Sequence, residues 1–349
     1  MIRRFAFYAL ALVFTLLRVF PVQKNKAVLL RHFAVWGSLE ALGEAMEHVG
    51  LRVVYIANWK RPSTLYHLAT AGAVFVNNNF SLLAYLPFSR KTKLVQLWHG
   101  GGALKRWGFS LDENRGNRVI PYDAVICGCE ALRTCWAEAF GLPVERILPL
   151  GSPAADSLVQ PYDAQALRAA FDAKYPQCAG KRFILYAPTF REEPSQNAAL
   201  LSRFDFGAFE ARFGGEAALP LRLHPEMHGA YVPPACAVDV TGEADPVALL
   251  RVCERLVTDY SSLMLDAAAL DIPVVIYAFD YDDYMTAGPG FYTDLREVPP
   301  GPVIGDFGEL LGILARPDNS SAQRKAFAQF HMGKPDGKSC ERIIGEFFP

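Results

Sequence analysis

KLVQLWHGGGALKRWG, residues 93–108, decides the fold. Lys93 to Trp98 is an apolar run of strand length, and it stops on His99 and the glycines 100–102. A buried strand that opens into a histidine and a glycine loop is the pattern of an open parallel sheet, where ligands collect beyond the carboxyl ends of the strands.

The same pattern extends to both sides. AVLLRHF (27–33), RVVYIA (52–57), AVFVN (73–77), DAVICG (123–128) and RILPLG (146–151) read as strands, with a helical stretch over 38–48. A polar, alanine-rich and mostly helical stretch covers 152–180, and the alternation then restarts. RFILYAP (182–188), ALPLRLHP (218–225), ERLVTDY (254–260) and IPVVIYA (272–278) read as strands, with helices over 245–253 and 262–270. Strands alternating with helices predict an α/β chain built from two consecutive doubly wound sheets, each with its own core.

Composition limits what such a chain does. Of 349 residues 51% are apolar and 20% charged, too apolar for disorder and enough for two cores. Thirty-five Lys and Arg against 36 Asp and Glu lack the basic surplus of a nucleic-acid binder, so no nucleic-acid partner is expected. Seven scattered cysteines fit neither a disulfide framework nor a paired-CxxC zinc site, which points to a reducing compartment.

Charge is uneven only at the N-terminus. No acidic residue precedes Glu40, and FAFYALALVFTLL (5–17) runs between Arg3, Arg4 and Arg18 without a charge. A helix over 5–20 reaches about 24 Å, short of the ~30 Å hydrocarbon core. No small-residue cleavage site follows it, and spanning would need tilt or bilayer thinning. An interfacial anchor suits its length and flanks, and a first helix buried in the protein itself is the plainer reading. As an anchor it puts the chain peripherally on the cytoplasmic face of a membrane. Removing residues 1–20 is then expected to release the protein while soluble acceptors are still used.

The chemistry-bearing residues follow apolar runs. His99 can exchange a proton near neutral pH, and Gly100 to Gly102 with Lys105 and Arg106 suit either a phosphate or a tight turn with surface cations. His224 ends LRLHP with Arg222 two residues before it, and stands as an acid-base group or as a satisfied structural histidine. A metal reading with His228 is weakened by Pro225 and by the lack of an acidic cluster, so no metal is expected. Ser261 and Ser262 in TDYSSLMLD either start a phosphate-binding helix or simply cap it. Thr189 in YAPTF (186–190) and Arg191 just after it are further candidate phosphate contacts in this reading. GxSxG and P-loop motifs are missing, which argues against a serine hydrolase or P-loop NTPase.

Taken together, QLWHG with LKRWG, YAPTFRE, LRLHP, TDYSSLMLD and GFYTD with PPGPV resemble the CDP-glycerol glycerophosphotransferase family of teichoic-acid and capsule synthesis, over about residues 22–345. The resemblance implies a GT-B fold of two Rossmann-like domains facing a cleft. Residues 1–22 would be the membrane anchor, 23–155 the acceptor domain and 156–349 the CDP-alditol-binding domain. It implies transfer of an alditol phosphate to a lipid-linked saccharide, with CMP leaving and no cofactor. His99 would be the general base and His224, with Arg222, would stabilise the leaving CMP. Ser261, Ser262 and the helix they start would bind donor phosphates with Asp266 nearby in the donor site, Pro188 and Thr189 would line the nucleotide pocket, and Trp98 and Gly100 would contact substrate.

Two departures stand out. Ala154 in GSPAAD occupies the place of the family's arginine in Gly-Tyr-Pro-Arg-Asn-Asp, leaving Arg191 or Lys105 to replace it. GGGAL stands where many members have Gly-Thr-Pro-Leu. Competing readings are a GT-B glycosyltransferase with a nucleotide-sugar donor and an inactive, membrane-tethered nucleotide binder. Assembly into a homo-oligomer is left open.

Overall fold

Short buried runs of apolar residues build two parallel sheets in this computed structural model, which describes residues 2–31, 37–57, 61–99, 102–191, 197, 200–224, 227, 231–243 and 245–349. The chain divides into two units: Met1–Gln160 with Phe330–Pro349, and Pro161–Gln329.

In the first unit β1 (Gln23–Leu30), β2 (Arg52–Ile56), β3 (Ala71–Val76), β4 (Lys93–Gln96), β5 (Ala124–Ile126) and β6 (Ile147–Leu148) pair in parallel, in the order β2-β1-β3-β4-β5-β6. Alternate residues of four strands face one side: Ala27 and Leu29, Ala73 and Phe75, Val95 and Leu97, Ala124 and Ile126. The helix Ser38–His48 covers that side with Leu39, Leu42 and Met46.

Ile343 of the last helix, Ser339–Phe347, shares this core, and Phe75 meets Phe347 and Phe348 at ring distances of 5.7 and 6.4 Å. This corrects the division expected from the sequence, which ran the second domain to residue 349. The return is fixed by a buried carboxylate. Asp156 accepts from the Ser339 hydroxyl (2.8 Å) and amide (2.9 Å) at the start of that helix.

The N-terminal helix, Ile2–Leu17, is two-faced. At about 100° per residue, Phe7 and Phe14 fall on one side and Phe5, Leu12 and Leu16 on the other. Phe14 is fully buried against Phe88, and Phe7 packs on Tyr85. Phe5, Leu12 and Leu16 are 68%, 65% and 69% exposed. The reading of a first helix buried in the protein itself thus holds for one face of this helix. Among the described residues no helix is long and apolar enough to cross a membrane.

The second unit holds β7 (Arg182–Ala187), β8 (Ala217–Leu221), β9 (Ala237–Asp239), β10 (Arg255–Thr258), β11 (Val274–Tyr277) and β12 (Val303–Ile304), all parallel, in the order β12-β11-β10-β7-β8-β9. Ile184, Tyr186, Leu219, Leu221, Val257 and Val275 form the centre of its core. Every strand expected from the sequence is present, while β9 and β12 are additions at the two edges. The first expected strand is shifted: it begins at Gln23, and residues 32 and 33 lie outside the described residues.

Candidate active site

In a parallel sheet all strands end on one edge, so the loops after neighbouring strands meet there. In the first unit these follow β3 and β4. Gln96 ends β4 fully buried. Its Nε2 donates to the Asn78 carbonyl (3.1 Å) and the Tyr122 hydroxyl (2.9 Å), and its Oε1 accepts from the Trp98 amide (2.8 Å). These bonds hold Trp98 at φ +55°, a left-handed conformation that is an outlier for so bulky a residue.

The next residue is His99, exposed, with its ring centroid 4.2 Å from that of Trp98. Its Nδ1 lies 3.1 Å from the Asn77 carbonyl oxygen. A carbonyl only accepts, so this bond assigns the proton to Nδ1 and leaves the neutral ring's lone pair on Nε2. A ring held in that tautomer is equipped to take a proton. Gly100, expected to contact substrate, lies outside the described residues, as does Gly101. Lys105 is half-buried and Arg106 exposed.

In the second unit the loops after β7, β10 and β11 are knotted together by charge. The buried Arg191 guanidinium pairs with Asp259 (2.9 Å), binds both carboxylate oxygens of Asp280 (2.9 and 3.1 Å) and donates to the Thr189 carbonyl (2.8 Å). Burial alone would lower its pKa, but Asp259 and Asp280 outweigh it and hold the group above its ordinary value. Asp259 also accepts from the amides of Thr189 (2.7 Å) and Tyr260 (2.6 Å), and the Tyr260 hydroxyl donates to Asp280 (2.9 Å).

Arg191 is therefore a strut. Its expected role as a phosphate contact, or as the replacement for the arginine missing at Ala154, is corrected: its charge is matched inside the fold. Arg222 is likewise committed to structure, donating to the carbonyls of Glu243 (2.7 Å) and Val240 (3.5 Å). His224 is exposed at the end of β8, its ring 5.4 Å from Phe190. His228 lies outside the described residues, and among the described residues no three His, Cys, Asp or Glu side chains gather as metal ligands.

Pro188 is buried and Thr189 half-buried on the same edge, and the buried Thr189 Oγ1 has no hydrogen-bond partner among the described residues. Ser261 and Ser262 lead into the helix Leu263–Ala269. Ser261 Oγ accepts from the Leu263 amide (3.3 Å), whereas Ser262 makes no side-chain cap. One turn into that helix, desolvation pushes the Asp266 carboxyl up to about 7, with repulsion from Asp245 adding to it. The loops after β7, β8 and β10 thus bring Pro188, Thr189, His224, Ser261 and Ser262 to one sheet edge.

Sequence reasoning missed Asn77, Gln96, Asp259 and Asp280. Each lies within three residues of the end of an apolar run, which is the signal that could have found them.

Two doubly wound parallel sheets, with polar side chains gathered at their carboxyl edges, define an α/β protein of the nucleotide-handling type. The profile of the CDP-glycerol:poly(glycerophosphate) glycerophosphotransferase family matches residues 44–348, and the chain belongs to that family. It is 29% identical over 294 residues to the teichoic acid ribitol-phosphate primase of Bacillus spizizenii, covering 80% of this chain and 75% of the relative. It is 28% identical over 303 residues to the teichoic acid poly(ribitol-phosphate) polymerase of the same organism, covering 82% of this chain but only 48% of the polymerase. The chain thus spans about half the length of that polymerase. Its fold is similar to that of the wall teichoic acid polymerase TagF in a structure soaked with CDPG, with a TM-score of 0.75 and 23% identity over 93% of this chain and 89% of that one.

Proposed function

We propose that this chain transfers an alditol phosphate, glycerol phosphate in the first instance, from a CDP-alditol to a hydroxyl of a lipid-linked saccharide or growing polymer, releasing CMP. The observation that carries the reading is His99, exposed at a strand end, with its ring oriented and its tautomer set by the bond from Nδ1 to the Asn77 carbonyl. In the proposed reaction Nε2 takes the proton of the acceptor hydroxyl as its oxygen bonds to the phosphorus that carries the alditol. The bond from that phosphorus to the bridging oxygen breaks, and CMP leaves with the electron pair. His224 stabilises the charge gathering on CMP, and Ser261, Ser262 and the unpartnered Thr189 hydroxyl contact the donor. Family membership and the CDPG soak of TagF support this choice of donor.

The reaction is placed at the cytoplasmic face of the membrane, where the apolar face of the N-terminal helix, flanked by the exposed Arg4 and Arg18, lies on anionic lipid. To test the reading, CDP-glycerol, CDP-ribitol and UDP-sugars are each supplied with a lipid-diphosphate disaccharide, and acceptor and nucleotide are followed by mass spectrometry. The expected result is a gain of alditol phosphate with CMP release. His99→Ala should lower kcat by about 10²–10⁴-fold, the usual contribution of a general base. Release of UDP, or turnover unchanged in His99→Ala, overturns the proposal.

A further inference from the structure

The first unit contains a cavity of about 710 Å³, within the range of small-molecule sites. Its wall is continuous with the candidate site, because Trp98, the neighbour of His99, lines it. The Trp107 indole lies nearly parallel to that of Trp98 (6.1 Å, 15°), and Phe140 stands edge-on to Trp98 at 5.5 Å. Part of the lining comes from the N-terminal helix, which contributes Arg4, Phe7 and Tyr8. Asn79, Asn114 and Asn117 supply amides, and Arg118, over the Tyr85 ring at 4.9 Å, supplies a second cation. Among the described residues no acidic side chain lines the cavity.

This set of groups has a chemical address. Flat aromatic faces take the apolar faces of pyranose rings, amides pair with hydroxyl or acetamido groups, and arginines pair with phosphate. A wall that is also the helix with the exposed Phe5, Leu12 and Leu16 puts a lipid tail and its headgroup within reach of one element.

We infer that this cavity seats the glycosyl diphosphate of the lipid-linked acceptor, with Arg4 and Arg118 on the diphosphate and the aromatic wall on the sugar, whose hydroxyl is thereby presented toward His99. The inference rests on the transferase reading for its substrate class and extends it to a named site. It also replaces the expectation that residues 1–20 are dispensable for soluble acceptors, since their removal takes away one wall.

The test uses the full chain and a short-chain alkyl diphospho-N-acetylglucosamine, titrated without donor while tryptophan fluorescence is followed. Saturable quenching is expected in the native protein. Arg118→Gln and Asn117→Ala are both at exposed positions and should leave the fold intact. Each should weaken binding by about tenfold, the loss of one charge-assisted or neutral hydrogen bond in a desolvated site. In turnover the same variants should raise the KM for acceptor and leave the KM for CDP-glycerol unchanged. Absence of quenching in the native protein, or equal affinity in both variants, overturns the cavity assignment even if turnover is normal. Binding that weakens as expected, in a protein that releases no CMP, upholds the cavity and sinks the transferase reading instead.

Discussion

Asp266 shows how one side chain converts burial into pH dependence. Its carboxyl is pushed up to about 7 in the folded chain, against an ordinary value near 3.8. A raised folded pKa means the native state holds the proton more tightly. The associated stability is full below about pH 4 and is lost as pH rises through 7. Asp266→Asn removes the ionisable group, so the melting temperature of the native protein should fall relative to this variant as pH rises from about 4 to 7. A constant difference across that range would show that the carboxyl titrates normally. His99 stood out in the sequence as a candidate because a histidine after a strand and before glycines has few structural reasons to be there. Gln96 was not, since a single glutamine inside an apolar run looks like a tolerated polar residue. Its role depends on Tyr122, Asn78 and the backbone of Trp98 arriving around it.

Among the elements, the N-terminal helix has a buried face and an exposed face, and substitutions can separate the packing of the first from the membrane contact proposed for the second. Leu12→Glu with Leu16→Glu changes only the exposed face, and should abolish sedimentation with anionic vesicles while leaving the melting temperature unchanged. Phe14→Ala removes a fully buried ring, which typically costs about 3–5 kcal/mol, and should lower the melting temperature by several degrees. If the double glutamate variant still sedimented, the exposed face would not be the membrane contact.

The loops of the second unit are joined just as specifically. Arg191→Leu leaves Asp259 and Asp280 facing each other without their shared cation. Breaking a buried pair of this kind costs about 3–5 kcal/mol, so thermal unfolding should move down sharply. Asp259→Asn in the same background should recover part of the loss. The sequence shows a cation after β7 but not that β10 and β11 each bring an acid to it, which is why a phosphate was the natural partner to expect. β9 and β12 escaped notice for a simpler reason. With three and two residues, neither forms an apolar run distinct from its surroundings.

Across the whole molecule, the two sheets were legible because strand and helix patterns alternate twice with a helical stretch between. The destination of the last twenty residues was not. The amphipathic pattern of Ser339–Phe347 says that one face is buried, and says nothing about which sheet it covers. The deciding contact, Asp156 with Ser339, joins residues 183 positions apart. Asp156→Ala should cost about 1–2 kcal/mol, as for loss of a buried cap. It should also open residues 330–349 to carboxypeptidase well before the rest of the chain. Unchanged protection would mean that Ile343, Phe347 and Phe348 hold the segment without the cap.

That return has a consequence for how the chain is made. The second unit, Pro161–Gln329, is one uninterrupted stretch, whereas the first is closed only by residues that follow the whole of the second in the chain. On the ribosome the later half can finish folding while the earlier half still lacks part of its core. An N-terminal half stalled at residue 160 would leave the Phe75 side of its sheet without the Ile343 helix, a target for chaperones until residues 330–349 have been made.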